Sequence, residues 1–224
     1  MAFQTQGHHR LGLDRMRSIP LRMYWKFHGR TTGCPDRVRS VGDSRQQRMD
    51  QLAQEIRSCT RCPGMNVKGE TQAAPGFGSV RSPVVVVGQS LCRQCMDAQE
   101  PFYKGSGLLL DKSFAKAGVE KKKLFLTNVV HCHPPKNRES LQLWIRRCSS
   151  YLHQELEIVQ PKVVIGLGED AAQALTAYYR KSRSPMTPAL IFAKHPSWIL
   201  RQHDPALEKT YVDGLARMLA WATG

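Results

Sequence analysis

PVVVVGQSLCRQCMDAQEPFYKGSG, residues 83–107, passes from a buried-strand pattern through a glycine-marked turn to an aromatic residue. Residues 84–87 are all valine, a run typical of a central parallel strand that is buried on both faces. Gly88 follows at the carboxyl end of this strand. In open α/β sheets, ligands bind in the crevice outside the carboxyl ends of the strands. We therefore expect the residues after Gly88 to line a pocket.

The second half of this segment carries groups suited to a ligand. Phe102 offers a flat apolar face, although an aromatic residue at this position also suits a core. Gly105 and Gly107 open a predicted helix, whose first amide groups are free to meet a phosphate. The segment is therefore the candidate active site.

Outward from this segment, predicted strands and helices alternate. The strands are 83–88, 124–130, 162–168 and 189–193, and the helices are 51–58, 106–118, 140–159, 169–179 and 205–223. Alternation of this kind implies right-handed crossovers and a parallel sheet covered by helices on both faces. The sequence thus predicts an α/β fold.

The chain is strongly basic, with a formal net charge of +15 over 224 residues. Residues 1–48 contribute ten Lys and Arg against three Asp, or +7, and residues 49–224 contribute the other +8. A basic balance in both parts favours a polyanionic partner such as nucleic acid, although a basic protein without that role is the alternative. No apolar run is long enough to span a bilayer, so we expect a soluble protein.

Residues 1–48 follow neither a helical nor a strand period. We expect a basic extension that is mostly disordered, that acts as an organelle transit peptide, or that precedes a natural start at Met49. The domain is then 49–224. Without an apolar signal core, we expect a cytoplasmic, nucleoid-associated protein in a reducing compartment, with organelle targeting by residues 1–48 left open.

Four of the seven cysteines have a spacing suited to a metal centre. Cys59 and Cys62 form a C-x2-C pair, Cys132 follows 70 positions after Cys62, and Cys148 follows 16 positions later. Cys132 closes the second predicted strand and Cys148 lies in the next helix, so both can face the loop that carries the first pair. Four thiolates gathered in this way hold either a [4Fe–4S] cluster or a tetrahedral zinc ion.

Cys92 and Cys95 form a second C-x2-C pair, which leaves other interpretations open. Together with Cys59 and Cys62 they make a rival zinc set, although 29 residues separate the pairs, more than in the usual zinc ribbon. By themselves they suit a zinc or redox protein. A further alternative is that all these cysteines are buried, inert thiols.

Three ordered motifs resemble those of one family. PFYKGSGLLLDK looks like PFVGRSGxLLD, TNVVHCHPPKNR looks like TNVVKCRPPxNR, and HPSWILR looks like HPSxLLR, the motifs of the iron–sulfur uracil-DNA glycosylases called family 4. The resemblance covers about residues 49–224. It implies a three-layer α/β/α fold around a four-stranded parallel sheet, base excision as the activity, and a structural [4Fe–4S] cluster on Cys59, Cys62, Cys132 and Cys148.

The resemblance also implies roles for pocket residues. Such an enzyme extrudes the base into a pocket and recognises it by stacking and hydrogen bonds. Phe102 is expected to stack on uracil, and Asn128 to pair with its O4 and N3–H. His195 is expected to donate to O2 as the uracil anion leaves, assisted by backbone groups at Gly88, Gln89 and Ser90.

Four residues are predicted to contact DNA, as single or double strands, in a protein expected to be monomeric. Ser197 suits a phosphate, and Trp198 suits a wedge in the gap left by the flipped base. Gly105 and Ser106 form the start of a helix that can approach the backbone. Ser197 and Trp198 equally suit a helix cap.

The first motif departs from the family, because GQSLC stands where the family has GEAPG or GEGPG. The family glutamate, thought to orient or activate the attacking water, is here Gln89, which can orient water but cannot take its proton. We expect slower turnover and a gain in rate from Gln89→Glu. The family's downstream acidic pair falls at Cys95 and Met96, and Asp97 or Glu100 is expected to substitute for it. A catalytically weakened DNA-binding protein of the same fold is the alternative.

Overall fold

A five-stranded sheet forms the middle layer of the protein, which a computed structural model describes over residues 44–181 and 187–224. The strand order is β1-β3-β2-β4-β5. The strands are β1 (Phe77–Gly78), β2 (Val84–Ser90), β3 (Phe125–Val130), β4 (Val163–Leu167) and β5 (Ala189–Ala193). Strands β2 to β5 are parallel, as predicted, whereas the two-residue β1 adds an antiparallel edge beside β3.

Seven α-helices flank this sheet in the described ranges. They are α1 (Ser44–Arg57), α2 (Arg93–Ala98), α3 (Gly107–Lys116), α4 (Gln142–Val159), α5 (Glu169–Lys181), α6 (Pro196–Leu200) and α7 (Pro205–Thr223). Five correspond to predicted helices. The short α2 and α6 were not predicted, because six and five residues are too few to show a repeated apolar stripe.

Alternate residues of β2 point into two separate cores. Val85 and Val87 pack with apolar residues of α1, α4 and α5, whereas Val84 and Val86 pack with those of α3 and α7. A strand directs successive side chains to opposite faces, so a run of valines is buried on both. This arrangement confirms the predicted three-layer α/β/α fold.

Helix α1 begins at Ser44, five residues before the predicted domain boundary at Met49. Met49 itself is buried, and Arg45 donates to the Gln160 side chain at 2.7 Å. The part of the predicted basic extension before residue 44 lies outside the described residues. No helix in the described ranges is long and apolar enough to cross a membrane.

Candidate active site and cysteine cavity

An aromatic ring and an amide meet at the backbone of Gly88. The register of β2 and β3 sets Gly88 opposite Asn128. A Cβ atom on Gly88 would lie 2.5 Å from Phe102 Cζ and 2.6 Å from Asn128 Oδ1, closer than real Cβ contacts come. Both side chains are buried, at 6% and 3% exposure. A glycine is therefore required for the ring and the amide to reach this strand end together.

Phe102 is held by contacts from outside its own loop. Its backbone is left-handed, with φ of 58°. Its carbonyl accepts a hydrogen bond from Lys121 Nζ at 2.7 Å, and Lys121 also pairs with Glu100 at 2.7 Å. A Cβ on Gly107 would lie 2.1 Å from the Phe102 oxygen, so Gly107 permits this turn. Lys121 was not identified from the sequence, since it lies in a run of three lysines with no distinguishing pattern.

His195 also lies at this end of the sheet, and its imidazole is a neutral hydrogen-bond donor. It is the N-cap of α6, and its Nδ1 atom accepts the Ser197 backbone N–H at 3.2 Å. Burial, aided by the positive charge of Arg201, lowers its pKa to about 4. The imidazole is thus uncharged at neutral pH and carries its proton on Nε2. Its ring centroid is 6.4 Å from that of Phe102, with the planes tilted by 33°.

Gln89 contacts a carboxylate that no sequence motif marks. Its Nε2 atom donates to Asp170 Oδ2 at 2.5 Å, and Asp170 lies in the first turn of α5. An acidic residue in a first turn is ordinary for any helix, so the local pattern gave no signal.

The two carboxylates proposed as substitutes from the sequence are engaged elsewhere. Asp97 pairs with Arg93 at the surface at 3.2 Å, and Glu100 pairs with Lys121 at 2.7 Å. Both side chains thus have partners of their own, and their role as substitutes for the family's acidic pair stays a prediction.

The residues predicted to contact DNA lie beside this pocket. The Ser197 hydroxyl is 2.8 Å from His195 Nδ1, and the Trp198 ring is 38% exposed with Lys194 Nζ 5.2 Å from its centroid. Gly105 is exposed with φ of +59°, and Ser106 caps α3 without a side-chain hydrogen bond. Ser90, the last residue of β2, is half-buried opposite Val130.

Four thiols line one cavity on the α1 and α4 side of the sheet. The walls of the cavity include Cys59, Cys62, Cys132 and Cys148. Burial and the neighbouring thiols raise the pKa of Cys132 to about 12. Thiols that disfavour one another's ionisation are stabilised as thiolates by a bound cation. The donor set is therefore chemically suited to a metal centre.

Hydrogen bonds from three elements fix the walls of this cavity. Arg61 donates to the Arg147 carbonyl at 3.3 Å, and Arg147 donates to the Arg61 carbonyl at 2.9 Å, which ties the first cysteine pair to α4. The His131 backbone N–H donates to Cys148 Sγ at 3.3 Å. Asn66 donates to the Cys59 carbonyl at 2.8 Å. The sequence identified the thiols but none of these supporting groups.

A family model described as "Uracil DNA glycosylase superfamily" matches residues 75–216, which carry the pocket and two of the four thiols. The chain belongs to the uracil-DNA glycosylase superfamily. The match confirms the resemblance seen in the motifs, whereas the divergence of the first motif stays a prediction.

Relatives named type-4 uracil-DNA glycosylase share much of this chain. The protein of Archaeoglobus fulgidus is 34% identical over 125 residues, which are 56% of this chain and 62% of that protein. The protein of Pyrobaculum aerophilum is 30% identical over 183 residues, 75% of this chain and 91% of that protein. The protein of Sulfurisphaera tokodaii is 27% identical over 164 residues, 73% of each chain. The match to the first of these thus spans less than two thirds of its length.

Cys92 and Cys95 lie apart from the cysteine cavity of this glycosylase-superfamily chain. Cys95 packs in a separate small cluster with Leu91 and Met96, and Cys92 caps α2, its sulfur accepting the Cys95 N–H at 3.2 Å. A hydrogen bond from Cys92 lowers the pKa of the Cys95 thiol to about 6. The rival zinc set, which joined this pair to Cys59 and Cys62, is not brought together. In residues 44–181 and 187–224, no three His, Cys, Asp or Glu are placed to hold one metal ion.

Proposed function

We propose that the protein is a monofunctional DNA glycosylase of base-excision repair, which flips uracil or a related deaminated base out of DNA and hydrolyses its N-glycosidic bond. The observation that carries this proposal is the meeting of the Phe102 ring and the Asn128 amide at Gly88, with the His195 donor beside them. These groups supply the stacking, edge recognition and charge stabilisation that base excision requires.

Recognition follows from the chemistry of one buried amide. Asn128 carries one acceptor oxygen and one donor nitrogen, which match the N3–H and O4 of uracil. Cytosine presents the reverse pair, so a fixed amide leaves both polar groups unpaired against it. An unpaired buried group costs about 1–3 kcal/mol, which supports discrimination of uracil from cytosine. Phe102 supplies the stacking surface under the base.

Catalysis depends on charge that develops when the bond between base and sugar breaks. The leaving uracil gains negative charge at O2, and the neutral His195 donates its Nε2–H there. The low pKa keeps the imidazole uncharged before the reaction. Because its Nδ1 atom accepts the Ser197 N–H, the single ring proton is on Nε2. Backbone amides at Gln89 and Ser90 assist, and the Gln89 side chain orients the attacking water.

The four cavity thiols are proposed to hold a [4Fe–4S] cluster. The support for this proposal is that all four cysteines line one cavity, since four thiolates are the donor set of such a cluster. Held by these residues, a cluster would cross-link the first cysteine loop, the end of β3 and α4, and its role would be structural because hydrolysis transfers no electrons.

The DNA partner is supported by the charge and by the side chains around the pocket. The chain carries a net charge of +15, and Lys194 lies beside the exposed Trp198 ring. Trp198 is proposed to fill the gap left by the flipped base, and Ser197, Gly105 and Ser106 to approach the DNA backbone. A monomeric, cytoplasmic and nucleoid-associated enzyme completes this proposal.

A single-turnover screen tests the function. Oligonucleotides carrying uracil, hypoxanthine, xanthine or mismatched thymine are incubated with excess protein, and abasic sites are revealed by alkaline cleavage. Cleavage at uracil is expected, with iron analysis of the same preparation showing a [4Fe–4S] complement. If the protein still binds the oligonucleotides in a gel-shift assay but cleaves none of them, the glycosylase proposal is overturned. The alternative is then a DNA-binding protein of the same fold, which the glutamine at position 89 favours.

A further inference from the structure

The hydrogen bond between Gln89 and Asp170 joins two elements that are 81 positions apart in the chain. Both side chains are half-buried, one at the end of β2 and the other in the first turn of α5. A carboxylate only accepts hydrogen bonds, so the Gln89 amide must turn its nitrogen toward Asp170. The chemistry of the pair thus fixes which end of the amide faces the helix.

This orientation leaves the Gln89 oxygen as the free end of the amide. A water that attacks the sugar has to donate an O–H to an acceptor while its lone pair points at carbon. If the amide nitrogen faced the water instead of the oxygen, its N–H would donate to the water and occupy the lone pair that has to attack carbon. The orientation imposed by Asp170 is therefore the one that suits hydrolysis.

Asp170 also places a carboxylate beside the Gln89 side chain at the end of β2. It lies two residues after Gly168, where a Cβ atom would be only 3.2 Å from the Cβ of His195. Helix α5 therefore begins against the histidine. Cleavage leaves an oxocarbenium-like sugar, which a nearby carboxylate stabilises.

We propose that Asp170 is a positioning residue for hydrolysis, holding the Gln89 amide so that its oxygen receives the attacking water. The Gln89 and Asp170 pair then orients the water, which is one part of the role expected of the single glutamate in the family's first motif. Because an amide cannot take a proton, the proton that the water loses when it bonds to the sugar cation passes to the departing uracil anion or to solvent. This inference rests on the proposed function.

Exchanging the two side chains tests the pair. Asp170→Asn lets the amides adopt either orientation and removes the charge, so the single-turnover rate on uracil falls about 10- to 100-fold while oligonucleotide affinity is unchanged. Gln89→Glu alone places a second carboxylate against Asp170. Because two like charges at that distance must share a proton, this variant does not raise the cleavage rate. In the double variant Gln89→Glu/Asp170→Asn, the amide introduced on α5 donates to the carboxylate introduced on β2, and the rate returns to the wild-type level or above. The recovered rate is lost again below the pKa of the introduced carboxylate.

Glu169→Gln is the matched control, because it removes one charge from the same helical turn at an exposed side chain that contacts Gln173. It is expected to keep the wild-type rate. A wild-type rate for Asp170→Asn, or a double variant no faster than Asp170→Asn, would overturn the positioning role while the glycosylase stands. Loss of thermal stability in Asp170→Asn without recovery in the double variant would show a structural tether instead. Absence of uracil excision by the wild-type protein would overturn the proposed function itself.

Discussion

Substituting Gly88 by alanine perturbs the pocket at the point where its parts meet. The added Cβ would lie 2.5 Å from Phe102 Cζ, about 0.9 Å closer than an ordinary van der Waals contact of 3.4 Å, and 2.6 Å from Asn128 Oδ1. Both neighbours are buried, so neither can move away without displacing the core around it. A displacement of about 1 Å in a positioned group costs about 100-fold in rate. Overpacking of this kind also costs about 1–3 kcal/mol of stability.

The assay for Gly88→Ala combines single-turnover cleavage of a uracil oligonucleotide with thermal unfolding at the same pH. The rate is expected to fall about 100-fold while the fold persists. Gly214→Ala is the matched control, because Gly214 lies within α7 and a Cβ there would meet nothing within 4 Å. Alanine replaces glycine in a helix with a gain of about 0.5–1 kcal/mol, so this variant is expected to keep its rate and to unfold at the same or a higher temperature.

A Gly88→Ala protein that cleaves at the wild-type rate would refute the reasoning, since the base could then not lie against the Phe102 ring and the Asn128 amide. Equal loss of rate in Gly88→Ala and Gly214→Ala would also contradict it. In that case the effect would come from glycine substitution in general and not from crowding of the pocket.

Three further predictions concern the amide, the imidazole and the thiols. Asn128→Ala is expected to lower the cleavage rate far more than DNA affinity, and equal loss of both in rate and gel-shift measurements would contradict its role in base recognition. Because the pKa of His195 is lowered from 6.5 to about 4, its contribution to stability is complete above about pH 6.5 and is lost as the pH falls toward 4. His195→Gln should therefore flatten the decline of the unfolding temperature across that range, and an unchanged slope would argue against a neutral, buried imidazole. Cys148→Ser is expected to lose bound iron and to lower the unfolding temperature, whereas a full iron content in this variant would exclude Cys148 as a ligand.

Much of the fold could be predicted because its signals are local. Four consecutive valines, or the VVIGL of β4, indicate buried parallel strands wherever they occur, and a strand end followed by glycine marks a ligand crevice. The order of such elements then specifies a sheet covered on both faces. The short helices α2 and α6 and the two-residue β1 escaped prediction, because contacts with the rest of the chain decide elements of that length.

For the pocket, the identity of Phe102, Asn128 and His195 followed from motifs, but their surroundings did not. The Lys121 ammonium on the Phe102 carbonyl comes from 19 positions away, and nothing in KKK marks the first lysine. The low pKa of His195 arises from burial, which is a property of the packed chain.

At position 89, the sequence determined the residue and the tertiary structure determined its neighbour. The sequence alone determined that an amide stands where the family has a carboxylate, and from this Gln89→Glu was expected to raise the rate. Only the tertiary structure showed Asp170 against that amide, and the proposal built on this contact predicts no gain in rate from the single substitution. The physical reason is that a side chain's charge environment depends on neighbours in space, and here the neighbour comes from α5, the helix that follows β4 and so lies two strands later in the chain than β2.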